Sequence, residues 1–194
     1  MTNMSRRTAL SAPAAMVLAA GASACAAEDQ KTTANSSRTL VAYFTRSGNT
    51  RVIASQLHRE LKTDLFEILP ATPYPDDYEQ TVEQARQERD AGVRPALKAT
   101  VPNIAAHDTI FLCFPIWGET APPIIRSFLA AHDLSGKTVR PVMTHGGYGL
   151  GDSLAVLKGH APNVRLTPAF SMEADQERRT MTQVRDWLGQ IARD

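Results

Sequence analysis

Between Thr39 and Ile191, short apolar runs alternate with stretches whose apolar residues recur every three or four positions. Continuous or alternating runs are strand-like and the longer recurrence is helical, so the pattern predicts strands and helices in strict alternation. Thr39–Phe44 predicts a central strand. Thr50–Leu61 places Val52, Ile53, Gln56, Leu57, Glu60 and Leu61 on one side and predicts a helix lying on a sheet. Leu65–Leu69 predicts a second strand, ended by Pro70. Pro73 and Pro75 make residues 71–78 a loop, Asp76–Glu88 predicts an exposed charged helix, and residues 91–105, with Gly92, Pro95 and Pro102, predict an irregular connection.

The alternation continues through the second half. Thr109–Phe114 is almost wholly apolar, as in a parallel strand buried on both faces, and stops at Pro115. Pro122-Pro123 opens a helix with Ile124, Ile125, Phe128 and Leu129 inward, a position where proline is tolerated because the first-turn amides have no acceptor. Thr138–Met143 predicts a strand in which Pro141 marks a bulge or an edge. Gly151–Gly159 predicts a short helix and Asn163–Leu166 the last strand. Gln176–Ile191 predicts a closing helix with Met181, Val184, Leu188 and Ile191 inward and Trp187 in the core. Repeated strand–helix units imply right-handed crossovers and an α/β fold, a five-stranded parallel sheet with helices on both faces.

Composition changes this picture only at the N-terminus. Met1–Arg7 is short and polar with Arg6 and Arg7, and Ala9–Ala27 is almost all small or apolar, the arrangement of an export signal. Residues 28–38 then read as a flexible polar linker and 39–194 as a single domain, since 194 residues suffice for one sizeable core. Ser5-Arg6-Arg7-Thr8-Ala9-Leu10 resembles a twin-arginine signal, whose machinery carries folded proteins, although Ala9 stands where that pattern favours a bulky apolar residue. Export by that route predicts a periplasmic or cell-envelope location. Cys25 offers a lipid-anchor site, with Ala22 three residues before it where the lipoprotein pattern has leucine.

Residues 1–27 carry two arginines and no acid, so their removal turns the formal net charge from +1 to −1. A balance so close to zero gives no reason to expect a nucleic-acid partner. Cys113 would then be the only cysteine, which excludes an intramolecular disulfide, and it reads as a packed thiol. His107-Asp108 and His132-Asp133 are separated pairs without a ligand set, so no metal site is predicted.

The chemistry concentrates in three loops, each following a predicted central strand. In a parallel sheet, ligands bind beyond the carboxyl ends of the strands where strand order reverses. The first loop, Thr45-Arg46-Ser47-Gly48-Asn49-Thr50, offers hydroxyls, backbone amides and a helix N-terminus, a cradle for one phosphate group. Gly48 permits close approach of an anion. An ordinary capped helix, with Ser47 or Asn49 satisfying the end amides, is the plain alternative. No Gly-x-x-x-x-Gly-Lys-Ser/Thr or Gly-x-Gly-x-x-Gly follows this strand, which disfavours nucleoside triphosphates and dinucleotides. The second loop holds Trp117 between Pro115-Ile116 and Gly118, a flat surface for a planar ligand. The third, Thr144-His145-Gly146-Gly147-Tyr148-Gly149-Leu150-Gly151, is too rich in glycine to be explained by stability and can present backbone groups to a heteroaromatic edge, with Tyr148 available to cover a ring.

With Thr-Arg-Ser-Gly-Asn-Thr at 45–50, Pro-Ile-Trp at 115–117, Leu-Ser-Gly-Lys at 134–137 and Thr-His-Gly-Gly at 144–147, residues 39–191 resemble the flavodoxin family. The resemblance implies a flavodoxin-like three-layer α/β/α sandwich with strand order 2-1-3-4-5 and non-covalent flavin mononucleotide (FMN). It implies that Thr45, Ser47, Asn49 and Thr50 hold the phosphate. Pro115, Ile116 and Trp117 would line the ring, and His145, Gly146 and Gly147 would meet its polar edge. Gly118-Glu119 departs from the second aromatic often found after the tryptophan. Glu119 reads as a surface carboxylate; turned inward, it would oppose negative charge on a reduced flavin. The implied function is electron transfer between a redox donor and acceptor, protein or small molecule. Direct reduction of a quinone or similar acceptor, and flavin carriage or sensing without turnover, stay open.

Overall fold

The computed structural model describes residues 38–173 and 177–193, with the backbone alone for 177–182. All of these lie in the unit Ala34–Asp194. The predicted leader 1–27 with Cys25, the linker 28–38 apart from Arg38, Gln176 and the inward placement of Met181 lie outside the described residues.

Strand β1 (Thr39–Tyr43) pairs in parallel with β2 (Asp64–Glu67) on one side and β3 (Thr109–Pro115) on the other. Strand β3 pairs with β4 (Thr138–His145), and β4 with β5 (Arg165–Leu166), which gives the predicted order 2-1-3-4-5. A further strand, β6 (Phe170–Glu173), also pairs with β4, with Val142 opposite Phe170 and His145 opposite Glu173. Sequence reading did not anticipate β6. Strands β5 and β6 occupy successive stretches of the same edge, interrupted at Thr167-Pro168-Ala169.

That interruption explains Pro141, which is neither a bulge nor at an edge but pairs in register with Leu112. The Val139 carbonyl accepts from Thr167 N at 3.0 Å, and the Thr144 carbonyl accepts from Ile116 N at 2.8 Å on the opposite side. Backbone groups alternate sides along a strand, so odd positions of β4 face the β5/β6 edge. The N–H that Pro141 lacks therefore falls on that edge, where its neighbour strand is broken and no ladder bond is lost.

Side-chain alternation builds two cores. Leu40, Ala42, Ile110, Leu112 and Phe114 pack toward α3 (Pro123–Ala131) and α4 (Ser153–His160). Val41, Tyr43, Phe111 and Cys113 pack toward α1 (Asn49–Leu61) and α5 (Glu177–Ile191). Each fully buried large side chain contributes about 1.5–3 kcal/mol through loss of apolar surface to water. Trp187 stacks on Phe170 at 4.9 Å and meets Phe111 edge-on at 5.8 Å, as a core tryptophan does. Burial in β3 pushes the Cys113 thiol well above its ordinary pKa, which keeps it protonated. His132 is a satisfied core residue: one ring nitrogen accepts from Val101 N at 2.8 Å and the other donates to the Phe128 carbonyl at 2.8 Å.

Three local expectations are corrected. The buried face of α1 is Thr50, Ile53, Ala54, Gln56 and Leu57, while Val52, Glu60 and Leu61 are exposed, because the helix rolls its small Ala54 onto the sheet. Strand β2 ends at Glu67, so Leu65 and Leu69 point to solvent and Ile68 is the buried anchor. Helix α2 (Tyr78–Asp90) starts two residues later than predicted, where Asp77 caps it by accepting from Gln80 N at 2.9 Å.

The connection after β3 is held by an unusual close approach. Trp117 and Thr120 exchange backbone hydrogen bonds of 2.9 and 3.3 Å around a tight turn in which Gly118 (φ 57°) and Glu119 (φ 61°) are both left-handed. For Glu119 that conformation costs about 1–2 kcal/mol. Asp152 N donates to the Glu119 carbonyl at 3.0 Å, and a Cβ on Gly151 would stand 1.7 Å from the same oxygen. Glycine is thus required at 151 for the β3 and β4 loops to touch. Gly151→Ala is expected to lower the unfolding free energy by about 1–3 kcal/mol, whereas Gly159→Ala, in α4 with open space around its Cβ position, should be neutral or slightly stabilising. Urea titration of both variants checks this; an unchanged Gly151→Ala midpoint would remove the proposed contact.

Candidate functional site

Loops after β1, β3 and β4 meet at the carboxyl edge of the sheet, around a cavity of about 680 Å³. The first loop is shaped from within. Gly48 N donates to the Thr45 hydroxyl at 3.0 Å, and Gly48 takes the left-handed conformation (φ 97°) with nothing within 4 Å of its Cβ position. Neither Ser47 nor Asn49 is the N-cap residue of α1; Gly48 is. The first intrahelical bond runs from Val52 N to the Gly48 carbonyl, so the amides of Thr50 and Arg51 have no acceptor within the helix. The loop therefore presents amides, the exposed Ser47 hydroxyl and the positive end of a helix dipole on one side.

Thr50 has a different place. Its buried hydroxyl pairs with that of Thr144 at 2.9 Å, tying the β1 loop to the end of β4. Arg51 donates to Glu67 at 2.7 Å beside Tyr43, whose hydroxyl is pushed up in pKa by burial and then by the Glu67 charge. These contacts fix where α1 begins.

The second loop supplies the aromatic wall. Trp117 meets Phe44 at 5.2 Å and Tyr74 at 5.0 Å, both edge-on, so its indole is held from two sides. Tyr74 donates to Glu88 at 2.8 Å, and burial together with that carboxylate drives the phenol pKa upward. Helix α2 thereby positions Trp117 through Tyr74. In the third loop, Gly147 N donates to His145 Nδ1 at 3.1 Å. A nitrogen that accepts carries no proton, which assigns the neutral ring's N–H to Nε2. His145 thus orders the glycine loop and keeps one donor for a ligand. Tyr148 is 79% exposed at the rim.

The cavity wall includes Arg46, Ser47 and Asn49 from the first loop; Pro115, Ile116, Trp117 and Gly118 from the second; and Thr144, His145, Gly146 and Tyr148 from the third. Thr45, Gly48, Thr50, Gly147 and Gly149 are not on it. Thr45 and Thr50 brace the loops, and Gly48, Gly147 and Gly149 supply positive φ where the chain must turn. Glu119 is an exposed carboxylate, as expected, and it stands on the rim of the cavity.

Sequence reading missed a whole wall. Tyr78, Thr81, Val82, Ala85, Arg86 and Arg89 of α2 line the cavity. Their spacing of three and four is one helical stripe, a signal present in the sequence but hidden by the surrounding charges. Arg46 links this wall to the first loop, donating to the Asp76 carbonyl at 2.7 Å with its guanidinium 5.6 Å from the Tyr78 ring centre. Arg86 is held by Glu83 at 2.7 Å and Asp90 at 3.3 Å, and hydrogen bonds from Arg86 and Gln87 bring the Glu83 pKa down to about 2.

An amide-and-hydroxyl cradle at one end and a flat aromatic wall at the other fit an elongated ligand carrying a phosphate and a planar ring. A family model described as flavodoxin matches residues 38–191. No curated protein matches the chain. Among solved structures, a candidate flavoprotein from Bacteroides eggerthii is 35% identical over 79% of this chain and 97% of its own, with a TM-score of 0.69. Another from Bacteroides uniformis is 28% identical over 77% and 99%, with a TM-score of 0.68. A flavoprotein from Lactobacillus acidophilus, solved in complex with FMN, is 18% identical over 74% and 97%, with a TM-score of 0.61, and shares the fold. With the sheet order, the position of the cavity and these matches in agreement, the chain belongs to the flavodoxin family.

Proposed function

We propose that this chain is an FMN-binding redox protein that passes electrons between a donor and an acceptor through non-covalently held flavin. The carrying observation is the cavity itself, whose two ends differ in chemistry as the two ends of FMN do. Ser47 and the first amides of α1 would hold the phosphate, with no lysine needed because the helix N-terminus supplies positive potential. Trp117 would pack on the isoalloxazine ring, and Gly146 with His145 Nε2–H would face its polar edge. Bound FMN supplies the electron-transfer chemistry; the protein sets its orientation and surroundings. Trp117 and Tyr148 exclude water from ring faces. Glu119, on the cavity wall, opposes negative charge near the ring. The Bacteroides eggerthii relative and the FMN complex of the Lactobacillus protein support this reading.

Purified protein loaded with excess FMN and then desalted should retain about one flavin per chain, released on denaturation; correctly folded protein that retains none would overturn the proposal. Ser47→Ala should weaken FMN binding about tenfold to hundredfold with an unchanged melting temperature, because a hydrogen bond to a charged group is worth about 1.5–3 kcal/mol. Thr50→Ala should act differently, costing about 1–3 kcal/mol of stability by leaving the buried Thr144 hydroxyl without its partner. Flavin fluorescence quenching and thermal melts separate the two effects.

We further propose, from the sequence of residues 1–27, that the chain is exported. Fractionation of expressing cells should place a shortened chain in the periplasm or envelope, and full-length chain confined to the cytoplasm would contradict it.

A further inference from the structure

The α2 wall carries more than a single FMN requires. From Tyr78 to Arg89 the helix rises about 16 Å, alongside the cavity from the phosphate-type cradle to the Trp117 turn. Both ends of this wall are fixed: Arg46 lies over Tyr78, and Arg89 Nη1 lies where it would be 2.9 Å from a Cβ on Gly118. The cavity therefore has a cation at each end. FMN bears its anionic group at one end only, since the oxidised ring is uncharged. The Arg89 cation has no counterpart in that ligand.

Of the two arginines on α2, Arg89 is the less committed. Arg86 is engaged by two carboxylates, Glu83 and Asp90. Arg89 commits its Nε to Asp90 at 3.1 Å, while its Nη groups have no acceptor among the described residues, although its side chain is only 32% exposed. The same cavity carries apolar surface: Trp117 adjoins Gly118, and Val82 and Tyr148, 45% and 79% exposed, line the wall. A guanidinium with two unspent parallel donors suits a carboxylate or sulfonate, and the adjoining apolar faces suit an aromatic ring.

We propose that Arg89 forms an anion subsite at the ring end of the cavity, which takes the acidic group of a small planar aromatic ligand, an acid-bearing quinone being the simplest member of that class. This deepens the proposed function and rests on it for the role of the ligand as a redox partner, but the subsite itself is built from Arg89, Gly118 and the α2 stripe. Glu119, across the same turn, opposes an anion there and limits the affinity. The absence of a side chain at residue 118 is part of the design: Gly118 leaves the space that Arg89 fills.

The test uses anthraquinone sulfonate and an uncharged hydroxymethyl anthraquinone, titrated into FMN-loaded protein and into the apoprotein. The loaded wild type should bind the sulfonate at least about tenfold more tightly than the uncharged probe, with a preference that shrinks as salt is added. Arg89→Gln should reduce the preference to within about twofold while FMN affinity stays within about twofold, and Glu119→Gln should increase it. Equal affinity for the two probes, or a preference untouched by Arg89→Gln, would overturn the subsite. So would a tenfold loss of FMN affinity in Arg89→Gln, because Arg89 would then belong to the flavin. The apoprotein arm separates the two readings: protein that fails to hold FMN yet keeps an Arg89-dependent preference defeats the proposed function and supports the subsite.

Discussion

The structure depends on one constraint, the reversal of strand order at the centre of the sheet. Strand β1 has β2 on one side and β3 on the other, so the first crossover moves outward in one direction and the later ones in the opposite direction. Helices α1 and α3 are thereby sent to opposite faces, and the loops that feed them part above the β1/β3 boundary. A crevice opens there without any side chain being sacrificed to make it. Every residue assigned to the ligand cradle owes its position to that parting.

Keeping the crevice in shape requires that the loops be tied together, and the ties are short and polar. The Thr50–Thr144 hydroxyl pair joins the first loop to the third. The Glu119 carbonyl joins the second to the start of α4 through Asp152 N, with Gly151 permitting the contact. His145 braces the third loop from inside. Several residues that look like ligand contacts in the sequence therefore act one step back: Thr45 and Thr50 set the cradle, while Ser47 faces the cavity. Motif reading finds the right loops but does not distinguish a hydroxyl that meets the ligand from one that meets another hydroxyl, because both uses favour the same residue types.

The fold was legible for a related reason. Buried parallel strands such as Thr109–Phe114 and apolar helical stripes such as Ile124–Leu129 are written directly in residue type, and strict alternation of the two leaves few topologies. Strand β6 is hidden because Phe170–Glu173 is only four residues long and follows Pro168, so it reads as part of the connection to the closing helix. Pro141 misled in the opposite sense: proline argues for an edge, and only the broken neighbour strand shows how a central position can accept it. The α2 wall was obscured by composition. Its cavity face carries Arg86 and Arg89 and is interleaved with glutamates and glutamines, so the helix reads as a solvated surface until Trp117, Tyr74 and Glu88 reveal which side it turns inward.

Amides and a hydroxyl at one end of the cavity and an aromatic wall at the other set how a ligand must lie across the three loops. That placement is measured most directly by the backbone amide NMR spectrum of the apoprotein during titration with FMN. The largest shifts are expected at Ser47–Thr50 and at Trp117–Gly118 and Gly146–Gly147, with the far ends of β1, β3 and β4 unmoved. Shifts centred away from the carboxyl edge of the sheet, or confined to one of the three loops, would contradict it.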